Sequence, residues 1–259
     1  MTALSNLSNI ERQEQLLRFV VKEQRISVDQ ICEEFSVSQA TARRDLVILA
    51  ESGKVRRIHG GALAMENAPP EPPVALRSTE QSEEKKRIGK ATAQLIGDGS
   101  TIFMSSGTTV LEVANNLRNH QGLTVITNSL LIMNTLADVA EIMLVSIGGI
   151  LRSSELSFIG HITEQALTEI RVDKVILGIR AIDVEVGLTN DYLPETQTDR
   201  AIVGIGQKVV LVADHTKCGR TSTTFVAPIS NVDTFVTDNK TPQDFVTALV
   251  DQGIKVITT

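Results

Sequence analysis

Short runs of apolar residues, many of them β-branched, recur along the chain after residue 100 and alternate with helical stretches. Continuously apolar runs indicate strands that are buried on both faces, as in a parallel sheet covered by helices. Helical spacing is present between them, for example in "TTVLEVANNL" and "PQDFVTALVDQ". The pattern therefore predicts a mostly parallel α/β domain. Its strands are expected at residues 101–104, 124–127, 142–147, 174–179, 208–213, 234–237 and 255–258.

The first 60 residues follow a different pattern, in which apolar positions recur at helical spacing. A first helix is predicted after Ser8. A second begins at Ser27, because Gln30 three residues later completes a capping box. Ser38 is the predicted N-cap of a third helix that runs to about Ser52. The segment "KVRRIHGGAL" then predicts a two-stranded ribbon that turns at the glycine pair. This order of elements is typical of a winged helix-turn-helix.

A proline-rich stretch separates the two patterns. "MENAPPEPPVALRSTEQ" holds four of the seven prolines, and such a run cannot continue a helix and favours extended backbone. We therefore predict a winged helix-turn-helix domain at 1–63, a linker at 64–80 and the α/β domain at 81–259.

The net charge of −6 argues against nucleic acid binding when it is taken alone. Its distribution changes the picture, because residues 1–63 hold nine Lys and Arg against eight Asp and Glu, whereas the remainder holds sixteen against twenty-three. A locally basic end on an acidic body is a pattern that fits a DNA-binding head.

The third predicted helix opens with small and polar residues and carries no acid before Asp45. Such a face can approach base edges while its arginines reach guanine or phosphate. The alternative, a solvated charged helix, predicts mixed Glu/Lys pairs four residues apart, which this face lacks. The predicted DNA-binding residues, including those of the basic ribbon, are Ser27, Ser38, Gln39, Ala40, Thr41, Arg43, Arg44, Lys54, Arg56, Arg57 and His59.

Polar clusters follow five of the predicted strands, and the carboxyl ends of parallel strands meet at one edge of a sheet, where open α/β folds bind ligands. Small hydroxyl residues and glycines before a helix offer N–H groups to an anion. Each cluster alone also fits a helix start, a tight turn or a structural ion pair. Together they predict a pocket for a polyol that carries a phosphate, with Arg180 adding charge at its rim. Its predicted residues are Ser105, Ser106, Gly107, Thr108, Thr109, Asn128, Ser129, Gly148, Gly149, Arg152, Asp183, Asp214 and Lys217.

Several other features limit the function classes. Two cysteines provide no disulfide framework, which fits a reducing cytoplasm, and four scattered histidines predict no metal site. No apolar run reaches membrane-spanning length, and the N-terminus lacks the regions of a signal peptide. We expect a cytoplasmic protein without a cofactor. Because one winged helix reads few base pairs, we also expect a homo-oligomer, a dimer or a tetramer.

The sequence resembles the DeoR family of bacterial sugar-responsive repressors. "SQATARRDLVILAESGKVRRIHGGAL" is similar to the family's DNA-binding signature, and "SSGTT", "TNS", "GGILRSSELSFIG" and "ADHTKCGR" are similar to its effector domain. The resemblance implies a fold like that of ribose-5-phosphate isomerase and coenzyme A transferases, binding of a phosphorylated sugar, and ligand contact also at Glu195. Two positions depart from the family pattern: Ser105 stands where the family usually has Asp, and Asp199 where it commonly has Lys. Both departures bear on which sugar fits.

We therefore expect a repressor of a carbohydrate operon that is released by a phosphorylated sugar. The alternative is a sugar-phosphate isomerase-like enzyme fused to a DNA-binding domain, in which Glu195, Asp183, Asp191 or Asp214 would act as a general base. The sequence has no recognisable catalytic constellation, and an isomerase-like fold does not establish activity.

Overall fold

A computed structural model of the protein describes residues 9–23, 25–51, 55–58, 60–64 and 72–259. The chain divides into two compact units, Met1–Asn67 and Ala68–Thr259. Hydrophobic clusters are confined within each unit, one in the first and two in the second. Each unit is therefore described by itself.

In its described residues, the first unit has three helices and a small antiparallel sheet with the strand order β1-β3-β2. The predicted ribbon is present as β2 and β3, and β1 adds a third strand that the sequence pattern did not indicate. Ser8 and Ser52, the predicted limits of the first and third helices, lie outside the described residues. The elements are α1 (Asn9–Glu23), β1 (Arg25–Ser27), α2 (Val28–Phe35), α3 (Gln39–Glu51), β2 (Val55–Ile58) and β3 (Gly61–Ala64).

Local sequence explains how the first unit is assembled. The predicted capping box is formed, because the Ser27 hydroxyl accepts from the Gln30 N–H and the Gln30 side chain accepts from the Ser27 N–H. A Cβ on Gly61 would lie 2.0 Å from the Ile26 carbonyl oxygen, so only glycine allows β1 and β3 to pair this closely. Leu16, Val20, Ile31, Leu46 and Leu49 are among the buried residues of the core.

The second unit is built around a seven-stranded sheet. In chain order its helices and strands are α4 (Val74–Arg77), α5 (Ser82–Ala93), β4 (Thr101–Met104), α6 (Thr108–Asn115), β5 (Leu123–Thr127), α7 (Leu130–Leu136), β6 (Ile142–Ser146), β7 (Ile150–Arg152), β8 (Ser157–Ile159), α8 (His161–Thr168), β9 (Val172–Leu177), β10 (Ala181–Asp183), β11 (Gly187–Asn190), α9 (Leu193–Gly204), β12 (Gly206–Val212), β13 (Thr224–Ala227), β14 (Thr234–Thr237), α10 (Gln243–Asp251) and β15 (Lys255–Thr258).

All seven predicted strands are present and form this sheet in the order β15-β14-β12-β9-β4-β5-β6. Every neighbouring pair is parallel, so the predicted α/β fold is confirmed. The alternation of Ile102 and Met104 with Phe103 sends side chains to opposite faces, where they join two separate hydrophobic clusters. Helices α5 and α6 cover one face, and α8, α9 and α10 contribute to the cluster on the other.

Two small antiparallel sheets were not predicted. β7 pairs with β8, and β10, β11 and β13 form a three-stranded sheet. All five of these strands have only three or four residues, which is too short for alternation of apolar and polar positions to be visible in the sequence.

Residues 72–80, which we expected to be the end of a linker, pack within the second unit. The Val74 N–H donates to the Ser154 carbonyl oxygen at 2.8 Å, and the Val74 side chain is buried. The Arg77 side chain is also buried and pairs with Glu155. These contacts attach the segment before α5 to the loop between β7 and β8.

Candidate functional site

Helix α3 has one buried face and one exposed face, as its sequence pattern predicts. Ala42, Leu46 and Leu49 are buried in the core of the first unit. The side chains of Gln39, Ala40, Arg43 and Arg44 are exposed, and Thr41 is half-buried. The paired arginines and the small residues at the start of the helix therefore share an accessible surface.

Hydrogen bonds hold the start of α3. The Ser38 hydroxyl oxygen accepts from the Thr41 N–H at 3.2 Å and lies 3.0 Å from the Thr41 hydroxyl. Gln39 donates to the Asp29 carboxylate on α2 at 3.0 Å and accepts from Arg43 at 3.4 Å. These contacts fix the polar residues at the amino end of the helix, which in helix-turn-helix proteins faces the bases.

Asp45, the acid next to the arginine pair, is turned into the protein and only 2% exposed. It accepts from Arg12 Nε at 2.7 Å and from Gln13 Nε2 at 3.1 Å, both on α1. The hydrogen bond to Asp45 raises the pKa of Arg12 above its usual value, against a smaller lowering by burial. Asp45 therefore ties α3 to α1 and leaves the exposed face of α3 without an acid beside the arginines.

The remaining predicted DNA-binding residues differ in how far they can be placed. Ser27 is half-buried and its hydroxyl is engaged in the cap of α2. Arg57 on β2 is exposed. Arg56 lies on β2, but its side chain, like the whole of Lys54 and His59, lies outside the described residues.

A pocket in the second unit opens at the carboxyl ends of the central strands β12, β9, β4 and β5. It has an empty volume of about 810 Å³, which includes the solvent at its mouth. Ten of the predicted effector residues lie at its wall: Ser105, Ser106, Gly107, Thr108, Thr109, Asn128, Arg152, Glu195, Asp214 and Lys217.

The amino end of α6 forms part of this wall and has no side-chain cap. Gly107 precedes the helix with a φ of 117°, which favours glycine, and its carbonyl oxygen accepts the first helical bond from Leu111. Thr108 and Thr109 follow and are buried. The N–H groups of an uncapped first turn, together with the helix dipole, favour an anion at this place.

Asn128 presents an acceptor to the same pocket. Its Nδ2 donates to the Phe158 carbonyl oxygen at 2.9 Å, which fixes the orientation of the amide. Its Oδ1 is buried and has no hydrogen-bond partner in the described part of the chain. Because a buried polar atom without a partner costs free energy, this oxygen indicates a place for a ligand hydroxyl.

Charged side chains are arranged in pairs around the pocket. Arg152 pairs with Glu195, which also accepts from Ser157 at 3.2 Å, and the Arg152 guanidinium lies 4.3 Å from the ring centre of Tyr192. Arg77 pairs with Glu155 on the same wall. These contacts hold the long side chains in one geometry before a ligand arrives.

Lys85 adds a partly desolvated cation. Its Nζ donates to the Arg77 carbonyl oxygen at 2.8 Å. Burial lowers the pKa of Lys85, and the positive charges of Lys217 and Arg77 lower it further, while Asp214 opposes the shift. A bound phosphate would favour the protonated form of this amine.

Four predicted effector residues lie outside the lining of this pocket. Ser129 caps α7 by accepting from the Ile132 N–H. Gly148 and Gly149 follow β6, the edge strand, and pack against Thr163 on α8. Asp183 lies in the β10–β11 hairpin, where it accepts from two backbone N–H groups in the turn.

The sequence interpretation missed several wall residues. Arg180 was expected at the rim and is there. Asp199 was noted only as a departure from the family pattern. The remaining charged and polar wall residues do not directly follow a predicted strand. Because the sequence analysis looked for the site only at strand ends, it could not include Arg77, Glu80, Gln81, Lys85, Glu155 and Asn190.

Two further observations concern the described residues as a whole. None of their helices combines the length and apolarity that crossing a bilayer requires. In the same residues, no three His, Cys, Asp or Glu side chains come together in a way that could hold a metal ion.

Comparison with known proteins identifies the family. Residues 12–68 match the DeoR-like helix-turn-helix domain, and residues 80–239 match the DeoR C terminal sensor domain. The chain is 36% identical over 250 residues to the glycerol-3-phosphate regulon repressor of Escherichia coli K12, covering 96% of this chain and 99% of that protein. It is 36% identical over 235 residues to the transcriptional repressor AccR of Agrobacterium fabrum, covering 90% and 91%.

Among solved structures, ribose 5-phosphate isomerase A from Methanocaldococcus jannaschii is similar with a TM-score of 0.40 and 18% identity, over 54% of this chain and 55% of that one. The sensor-domain match alone spans more than half of the chain, and the two repressors match nearly all of it. This protein therefore belongs to the DeoR family of transcriptional regulators.

Proposed function

We propose that this protein represses a carbohydrate-utilisation operon and that a phosphorylated sugar weakens its hold on the operator. The names of its relatives support repression. The observation that carries the effector proposal is the composition of one pocket wall, where an uncapped helix start and an unpartnered buried amide oxygen stand side by side. The first suits a phosphate and the second a hydroxyl.

In this proposal the phosphate binds at the first turn of α6, where the N–H groups of Thr108 and Thr109 face it. Lys85 and Lys217 line the same pocket and supply positive charge. The sugar hydroxyls donate to Asn128 Oδ1 and to the carboxylate of Glu195. Direct contact with bound ligand at these residues is part of the proposal.

On the DNA side, α3 enters the major groove with Arg43 and Arg44 directed at guanine or phosphate, and Arg57 on the wing contacts the backbone. One winged helix reads few base pairs, so we propose that two copies or more bind repeated half-sites. Because the proposed operator is part of the bacterial chromosome, we also propose that the protein acts in the cytoplasm.

Release requires that the effector bind better to the conformation that holds DNA poorly. Coupling of this kind is typically about 1–3 kcal/mol, or roughly a 5–150-fold change in operator affinity. The segment 72–80 is a candidate for transmitting it, because this segment follows the DNA-binding unit in the chain and its Arg77 lines the pocket.

The test combines a thermal-shift screen against sugar phosphates with operator gel shifts. An effector at 100 times its Kd should stabilise the protein by about 2.7 kcal/mol and should release the operator. Asn128→Ala should raise the effector concentration needed for release. Asn115→Ala, at the other end of α6, is the matched control and should behave as wild type. If no sugar phosphate changes either melting or operator affinity, the proposal is wrong.

We propose sensing rather than catalysis for the pocket. Of the four carboxylates considered as general bases, Glu195 pairs with Arg152 and Asp214 accepts from Thr216. The other two, Asp183 and Asp191, lie outside the lining of the pocket. Incubation with pentose and hexose phosphates should give no sustained isomerisation. Turnover that survives purification and disappears with Glu195→Gln would contradict this view.

A further inference from the structure

Asp199 occupies a distinct position on the pocket wall. Helix α9 presents Glu195, Asp199 and Ile202 to the pocket, and their spacing of four and three residues puts them on one face of the helix. Asp199 is only 8% exposed. It is therefore a carboxyl group in a site from which most solvent is removed.

One oxygen of this carboxyl is held by the protein and the other is not. Asn190 Oδ1 accepts from the Arg180 N–H at 3.3 Å, which directs Asn190 Nδ2 to Asp199 Oδ2. Asp199 Oδ1 makes no hydrogen bond to any residue that the structure describes. The second oxygen is consequently available to a ligand in the pocket.

Two arginines of this wall, Arg152 and Arg180, lie beside other carboxylates. Arg152 is paired with Glu195, and Arg152 Nη2 and Arg180 Nε lie 3.9 Å and 4.0 Å from the Asp191 carboxylate. Across the described residues, no Lys, Arg or His nitrogen lies within 4.0 Å of the Asp199 carboxyl oxygens. An anion placed next to Asp199 would meet the negative charges of Asp199 and Glu195, while Arg152 is already paired with Glu195.

The environment of Asp199 already disfavours its ionised form. Burial, followed by the negative charge of Glu195, raises the pKa of Asp199, and Glu155 adds to the rise. The hydrogen bond from Asn190 and the charge of Arg152 oppose it. A second anion at this place would either be repelled or require the uptake of a proton.

We infer that Asp199 determines effector specificity: it accepts a hydrogen bond from a ligand hydroxyl through Oδ1 and excludes ligands that carry an anionic group at that end. This inference rests on the proposed function, because it assumes that the phosphate end lies at α6. The effector is then a sugar or sugar-alcohol monophosphate whose other end is uncharged. Phosphorylated sugar acids and bisphosphates are rejected.

Open-chain ligand pairs that differ only at one terminal carbon test this inference. Within each pair, the second ligand has a carboxylate where the first has a hydroxymethyl group. The pairs are sorbitol 6-phosphate and 6-phosphogluconate, ribitol 5-phosphate and 5-phosphoribonate, and glycerol 3-phosphate and 3-phosphoglycerate. Titration calorimetry on the full chain should give a preference of about tenfold or more for the alcohol in the wild type. Asp199→Asn keeps the shape of the side chain and removes its charge. This variant should bind the acid more tightly, so that the preference for the alcohol falls to about threefold or less.

Asp183→Asn is the matched control, because Asp183 is also a buried carboxylate but lies outside the lining of the pocket. It should keep the wild-type ratio. If the alcohol phosphates or other sugar phosphates bind and Asp199→Asn leaves the ratio unchanged, this inference is wrong and the proposed function stands. If no sugar or sugar-alcohol phosphate binds the wild type, both are wrong.

A pH profile of the wild type gives a second readout that does not depend on the variant folding. Binding of the acid favours the protonated form of Asp199, so acid affinity should fall as the pH is raised through the range in which Asp199 titrates, which lies above the usual carboxyl range. The alcohol lacks this effect, and titration of the phosphate itself is common to both members of a pair. A ratio that is constant over this range would overturn the inference.

Discussion

The ion pair between Arg77 and Glu155 offers a quantitative test of how residues 72–80 are attached to the second unit. The two side chains are 8% and 6% exposed, so both charges are largely removed from water. Arg77 Nε also donates to the Pro72 carbonyl oxygen at 2.8 Å. Arg77→Met keeps most of the side-chain volume and leaves the Glu155 carboxylate buried without its cation.

Breaking a buried pair in this way costs about 3–5 kcal/mol of the free energy of unfolding, because the Glu155 charge stays buried after its arginine is removed. A unit of this size loses about 2–4 °C in melting temperature for each kcal/mol, so we expect a fall of roughly 6–20 °C. Thermal and urea denaturation of the full chain, monitored on the transition of the second unit, measure both quantities.

Two controls separate the ion pair from general damage. Arg118→Ala removes an ion pair with Asp138 whose side chains are 48% and 71% exposed, and it should leave the free energy of unfolding almost unchanged. Arg77→Met combined with Glu155→Gln removes both charges and should recover a large part of the lost stability. The reasoning is refuted if Arg77→Met is as mild as Arg118→Ala, or if the double variant is no more stable than the single one.

Three further predictions follow from individual residues. Arg43→Ala and Arg44→Ala should each weaken operator binding by about 1–3 kcal/mol if the side chain pairs with guanine. If the side chain contacts phosphate instead, the dependence of log affinity on log salt concentration should become shallower by about one. Gel shifts at several salt concentrations distinguish the two cases, and unchanged binding of the double variant would exclude α3 from the interface. Gly149→Ala should destabilise the second unit by about 1–3 kcal/mol, because the new Cβ would lie 2.1 Å from a threonine hydroxyl oxygen. A Cβ at Gly148 would have no atom within 4 Å, so Gly148→Ala should change the free energy of unfolding, measured by urea denaturation, much less. Burial raises the pKa of the Cys218 thiol to about 12, so at pH 8 Cys218 should remain a thiol and react with iodoacetamide only after unfolding. Rapid labelling of Cys218 in the folded protein, identified by peptide mass spectrometry, would contradict this.

The amino-acid sequence by itself determined the elements whose signals are local. Ser27 and Gln30 form the predicted capping box, and Ser38 caps the start of the helix that exposes Arg43 and Arg44. All seven strands of the large sheet were predicted, because each is a run of apolar residues bounded by polar ones. Such signals depend on residues a few positions apart, and a single sequence displays them directly.

The strand order was decided only in the folded chain. The rule that ligands bind at strand ends selected Gly148 and Gly149, but these follow β6 at the edge of the sheet, whereas the pocket lies over the central strands. Asp183 was misplaced for a related reason, because the chain after β9 turns into a hairpin that carries this residue away from the pocket. Local sequence marks where strands end but not which strands are neighbours.

The pocket wall likewise depends on contacts between distant parts of the chain. Arg77 meets Glu155 across 78 positions, and Arg152 meets Glu195 across 43. Asp199 acquires its raised pKa from burial and from its neighbours in space. The identity of a residue sets what chemistry it can perform. Whether it contacts a ligand, and in which protonation state, depends on desolvation and charge pairing, and both of these require the assembled tertiary structure.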